Sequence, residues 1–161
     1  MSVVDKNQAV IDYLIQCPTI LNSPLYFNFI NAEDNTNQIV TQSTERYASR
    51  RFIDGSVMKI YSFTIILYKS TADIAVVKME GYPNENISDM MDIQALIDWI
   101  KEQQDLNNFP NFGTDCLVED IYTTTDNPRF DGIDDQVSPP LAIYSVTIEI
   151  QYLDISKKLW R

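Results

Sequence analysis

Residues 52–70, FIDGSVMKIYSFTIILYKS, constrain the chain more than any other stretch. They open on a turn, Asp54-Gly55-Ser56. An aspartate side chain bonds its own backbone two residues on, and glycine accepts positive φ without steric cost. A β-pattern follows: Tyr61, Phe63, Ile65 and Leu67 share one face, and Ser62 and Thr64 share the other with Ile60, Ile66 and Tyr68. Period-two alternation of β-branched and aromatic residues is the signature of a strand. At roughly 3.3 Å per residue the segment Lys59–Ser70 reaches about 40 Å, well beyond the usual strand. Such a strand is expected to be the spine of a sheet and to run past the body of its own subunit.

A second long pattern, LAIYSVTIEIQYLDI from Leu141, has Ala142, Tyr144, Val146, Ile148, Ile150 and Tyr152 as its cleaner apolar face. It is expected to pair with the first. Shorter strands are read at Leu25–Asn31, at Gln38–Tyr47, around Ile74–Met79 and at Cys116–Thr124. The half-polar segment Gln38–Tyr47 suits a sheet edge, where polar residues blunt unwanted pairing.

Two helices are expected. Val3, Val10, Leu14 and Cys17 form one stripe before Pro18, which stops the helix because proline disfavours the α conformation at the preceding residue. Ile93, Leu96, Ile97 and Ile100 follow the i, i+3, i+4, i+7 spacing of a second, with Asn86 or Ser88 as its cap and its end near Gln104–Asn107. Phe109-Pro110-Asn111-Phe112-Gly113 reads as a rigid loop, and residues 126–140, DNPRFDGIDDQVSPP, as a long acidic one. Runs of strands bracketed by helices give an α+β class: a largely antiparallel sheet with two helices packed on one face, in a single domain spanning 1–161.

The chemistry is as informative for what is missing. The chain has no histidine, which removes the commonest general base and metal ligand. It has four glycines and no phosphate-cradling loop. Two cysteines, Cys17 and Cys116, are too few for a zinc site. A single disulfide between them is one option; buried thiols in a reducing compartment is the other. Asp131-Gly132-Ile133-Asp134-Asp135 hints at calcium, but the EF-hand spacing fails and no glutamate closes the loop. No pair among the 23 acidic residues stands out for glycoside chemistry. No enzyme activity and no cofactor are expected.

The net charge of −11 argues against a grip on nucleic acid, which needs cations to displace counterions from phosphate. An acidic wall would instead let a duplex pass without sticking, and the plainer alternative is that the charge keeps the protein soluble. Arg50-Arg51 is the one concentrated positive charge before the last residues. It is either a solvated pair or a salt-bridge anchor to a partner subunit. No apolar run is long enough to span a bilayer, and MSVVDKNQAV lacks the pattern of a secretory signal, so an intracellular origin is expected.

Taken in order, these pieces resemble the tail terminator proteins of tailed bacteriophages, also described as minor capsid or head-tail joining proteins. The carriers are the N-terminal helix, the aromatic strand Tyr26–Phe29, the Phe52–Ser56 turn and the strand from Lys59. The helix around Ile93–Ile100, the Phe109-Pro110 loop and a terminal strand ending in Tyr152 complete the series. The acidic insert at 126–137 and the tail from Ser156 match no part of that family. The resemblance implies a ring, usually a hexamer, that caps the head-proximal end of the tail tube, stops its polymerisation and docks the head connector, with DNA crossing the lumen. Its partners would be further copies of the chain, the tail tube protein, the head-tail connector or stopper, and the tail sheath. Its location would be the tail or neck of the virion, assembled in the host bacterial cytoplasm.

Long strands with exposed edges are templates for pairing across subunits. Some of Asp131, Asp134, Asp135 or Glu119 are expected to line the bore; Arg50 and Arg51 are the interface candidates, should the pair be an anchor and not simply solvated. Two other readings stay open. One is a different head-tail connector, or the terminator of a headless tail-like bacteriocin. The other is a cytosolic ligand-binding domain or an unrecognised hydrolase, which a deep apolar pocket would favour.

Overall fold

The two long strands of the sequence pair with each other. A computed structural model describes residues 5–18, 25–27, 36–41, 46–70, 85–134 and 141–159. Helix α1 spans Lys6–Leu14 and α2 spans Glu85–Asp105; the strands are β1 Leu25–Phe27, β2 Thr36–Thr41, β3 Arg46–Arg51, β4 Val57–Ser70, β5 Cys116–Thr123, β6 Arg129–Asp134 and β7 Leu141–Asp154. β4 and β7, 14 residues each, are antiparallel and in register over their full length, from Val57 opposite Asp154 to Ser70 opposite Leu141.

Each central strand carries two short strands on its other side. β3 and β2 divide the outer side of β4, and β5 and β6 divide the outer side of β7. Among the described residues only the pairing of β1 with β2 is parallel. The long strands are therefore the middle of the described sheet. The expectation that β4 projects past its subunit is not met over most of its length: β7 pairs all of it, β3 pairs within 57–60 and β2 pairs 63–68, while 61–62 and 69–70 have no outer partner among the described residues. Among the described residues the outermost strands are the short ones.

Both helices lie on one face, as the sequence predicts for this α+β class. One core joins Val10 and Leu14 of α1, Cys17 just past it, and Ile93, Leu96, Ile97 and Ile100 of α2 to the odd positions 61–67 of β4 and the even positions 142–152 of β7. A period of 3.6 on the helices meets a period of 2 on the strands, so one apolar stripe per helix covers one face of the sheet. Asp5 caps α1 by accepting a hydrogen bond from the Asn7 N–H at 2.9 Å. Tyr13 of α1 stacks at a tilt on Trp99 of α2, with ring centroids 5.2 Å apart. The Phe109–Gly113 loop drives Phe112 into the core, edge-on to Tyr61 and Tyr152. The reverse face is polar along its centre, where the Thr64 and Thr147 hydroxyls meet at 3.0 Å.

Several boundaries differ from the sequence reading. The strand read at 38–47 is two strands, β2 and β3, that pair with different halves of β4; β2 is internal, between β1 and β4. Asn86 and Ser88 lie inside α2, which already runs from Glu85. The loop read at 126–140 contains β6. The strand expected around Ile74–Met79, the turn at 81–84, Asp135, Pro139-Pro140 and Trp160 lie outside the described residues. Cys17 and Cys116 form no disulfide.

Candidate functional site

Strand register fixes where the candidate residues stand. Arg51 is level with Val57 of β4, Val57 with Asp154 of β7, and Asp154 with Cys116 of β5. Two residues inward along β4, Tyr47, Lys59, Tyr152 and Val118 are level, and one further Arg46, Ile60, Gln151 and Asp120. β3 and β5 are thus opposite edges of the same end of the sheet. Three strand spacings separate them, about 14 Å.

β3 is RYASRR, with three arginines and no acid; Arg50 and Arg51 are exposed and form no ion pair among the described residues. β5 is CLVEDIYT. Its ladder shifts register between Val118 and Asp120, and Glu119 is the extra, exposed residue of that bulge. Asp120 is committed inside the subunit: its carboxylate accepts from Gln104 Nε2 of α2 at 2.8 Å and from the Ile121 N–H at 2.9 Å. These bonds seat the last turn of α2 beside β5, and Glu102 and Asp105 of that turn are exposed.

Asp131 and Asp134 stand elsewhere. They lie on β6, at the opposite end of β7, and Asp131 is the extra residue of a second bulge, between Phe130 and Gly132. From Glu119, level with Tyr152 and Gln151, to Asp131, level with Tyr144 and Ile143, is eight residues along β7, or about 26 Å. The structure does not bring these acids together. Arg129 Nε donates to Asp131 at 2.6 Å. Asp134 is half-buried; with burial the larger cause, its charge helps push the Tyr68 hydroxyl up from its ordinary pKa. Asp126 pairs with Lys101 of α2 at 3.2 Å.

The β3–β4 turn is clamped by the C-terminal segment. Asp54 accepts from the Ser56 N–H at 3.0 Å and from its hydroxyl at 2.6 Å, the Asx geometry expected of this turn. The Leu159 N–H donates to the Asp54 carbonyl at 2.6 Å, and Lys158 lies 3.7 Å from the Asp54 carboxylate. Hydrogen bonds from Ser56, with a smaller contribution from Lys158, hold the Asp54 carboxyl below its usual range. Beyond the turn, Ile53 is 94% exposed and Leu159 72%, with Phe52 beside them. Next to it Lys59 and Asp154 form an ion pair at 2.9 Å, and a cleft of about 60 Å³ opens between Arg51, Lys59, Asp154 and Lys157.

A larger cleft, about 430 Å³, lies between α1 and the loop after α2. Asp5, Gln8, Asp12, Asn108 and Asn111 contribute to its walls. Tyr13 closes one side by donating to the Asn108 carbonyl at 2.9 Å, and burial, with Cys17 nearby, pushes its hydroxyl well above its ordinary pKa. Ala9, Phe109 and Pro110 line it as well, so the cleft mixes apolar surface with polar groups. Among the described residues no group of histidine, cysteine, aspartate and glutamate could hold a metal ion, and no helix is long and apolar enough to cross a membrane.

The sequence reading missed the exposed apolar residues at the sheet edges: Leu117 on β5, Leu106 just past α2, and Phe130 and Ile133 on β6. Leu117 had a signal, being out of phase with Cys116 and Val118, which pack against the core. No family model matches the chain, and no curated protein matches it significantly.

Proposed function

We propose that this chain is a structural subunit of a bacteriophage tail, a terminator whose copies close into a hexameric ring at the head-proximal end of the tail tube. The ring halts tube growth and offers a face to the head connector, with DNA crossing its lumen. The role is mechanical and needs no reacting group. The observation that carries this reading is the architecture: two fully paired 14-residue strands with both helices on one face. That is the α+β arrangement which the order of sequence features implies for a terminator.

Two further features support it. An acidic chain repels phosphate, which suits a wall that DNA passes and does not bind. Asp131 and Asp134, on β6 and away from the β3 and β5 edges, remain the candidates for that wall.

Electron microscopy of the purified protein, alone and mixed with tail tubes, tests the proposal. Closed rings, and tubes capped at one end and arrested in length, are the expected result. Protein that stays single at high concentration and never sits on a tube end would overturn it.

A further inference from the structure

We propose that copies join head to tail through the two opposite edges of one end of the sheet, with β3 of one copy seated against β5 and the last turn of α2 of the next. This contact rests on the ring reading above. Arg50 and Arg51 would meet Glu119, Glu102 and Asp105.

Charge complementarity carries the assignment. On an acidic chain, β3 is a strand of three arginines and no acid. At the opposite edge β5 carries Glu119, and the last turn of α2 beside it carries Glu102 and Asp105, all exposed and none in an ion pair among the described residues. Two exposed cations and three exposed anions, at opposite edges, stand without a partner inside the described part of the subunit. Two like edges would repel, so the contact is heterologous.

Geometry carries it further. The register chain Arg51–Val57–Asp154–Cys116 puts both edges at one height along the strands. Patches at one height join copies by rotation without a rise, the condition for a ring instead of a filament. Polarity also fits. β3 opposes β4, β4 opposes β7 and β7 opposes β5, so β3 of a like-oriented neighbour runs antiparallel to β5. The bulges in β3 and β5 interrupt any continuous backbone ladder, which leaves side-chain pairing as the main attraction. Exposed Phe52 and Ile53 beside β3 and Leu117 on β5 supply apolar area to the same contact.

Two charge-reversed full-length proteins test this. One carries Arg50→Glu and Arg51→Glu; the other carries Glu102→Lys, Asp105→Lys and Glu119→Lys. Circular dichroism verifies that each is folded, and light scattering reads mass against concentration. Each variant alone is expected to need at least about tenfold more protein than wild type to assemble. An equimolar mixture is expected to assemble again, because every contact in an alternating ring then pairs opposite charges. Wild type that assembles while the arginine variant assembles equally well would overturn this contact and leave the ring reading standing. A mixture that fails to recover would do the same. Wild type that never assembles would overturn both.

Discussion

A methyl group at position 55 has nowhere to go. Gly55 has φ +90°, and an added Cβ would lie 2.4 Å from the Lys157 carbonyl oxygen, a backbone atom that cannot swing aside. Gly132 in the β6 bulge also has positive φ, at +130°, but nothing lies within 4 Å of its Cβ position. Gly55→Ala is therefore expected to cost about 2–4 kcal/mol, from strain and overlap together, and Gly132→Ala about 1–2 kcal/mol from strain alone. Urea melts of the two variants give the comparison. The Asp154 carboxyl makes the second prediction at this scale. Burial pushes it up, but hydrogen bonds from Ser156 and Lys59, with the Lys59 charge, outweigh that and hold it down at about 2. A carboxyl depressed on folding stabilises the protein above its unfolded pKa, and this is lost as pH falls from about 4 to 2. Asp154→Asn is expected to remove about 1 kcal/mol at pH 7, after screening, and to leave a shallower acid transition in melts run at pH 4 and pH 2. The turn that Asp54 and Gly55 make was legible in the sequence; the tail folded onto it was not, since nothing in Lys157 or Leu159 announces a partner a hundred residues away.

At the scale of elements, periodicity decides what could be read. β4, β7 and α2 declare themselves because each has an unbroken apolar series on its inward face: Tyr61, Phe63, Ile65 and Leu67, then the even positions from Ala142 to Tyr152, then Ile93, Leu96, Ile97 and Ile100, all buried. β6 hides because its bulge inserts Asp131 and places a glycine after it, so Phe130 and Ile133 fall out of period two and RFDGID reads as turn chemistry. β2 and β3 ran together because both are polar and only the register on β4 separates them. The same logic predicts energetics. Ile97 is fully buried between helix and sheet, so Ile97→Ala is expected to cost about 2–5 kcal/mol in denaturant melts. Hydrogen exchange should rank the strands, with amides of β4 and β7 slowest and those of β6 faster, because the central pair is flanked on both sides and β6 only on one.

At the scale of the whole molecule, charge separates folding from assembly. The core that holds α1 and α2 to the sheet is apolar, and the buried side chains feel little of the salt in solution. The edges proposed to meet are the reverse: exposed arginines on β3 and exposed carboxylates on β5 and α2, at distances that the ionic atmosphere governs. The Debye length falls from about 10 Å at 0.1 M salt to about 3 Å at 1 M. General self-repulsion of a chain carrying −11 acts the other way, since salt relieves it. If complementary edges dominate, raising sodium chloride from 0.1 M to 1 M dissociates the assembled protein while its melting temperature stays level or rises. If repulsion between like-charged subunits dominates, salt promotes assembly. The first outcome is expected, because the attractive charges face each other at contact range and most of the excess acid does not. Sedimentation velocity across the salt series, read beside thermal melts of the same samples, distinguishes the two.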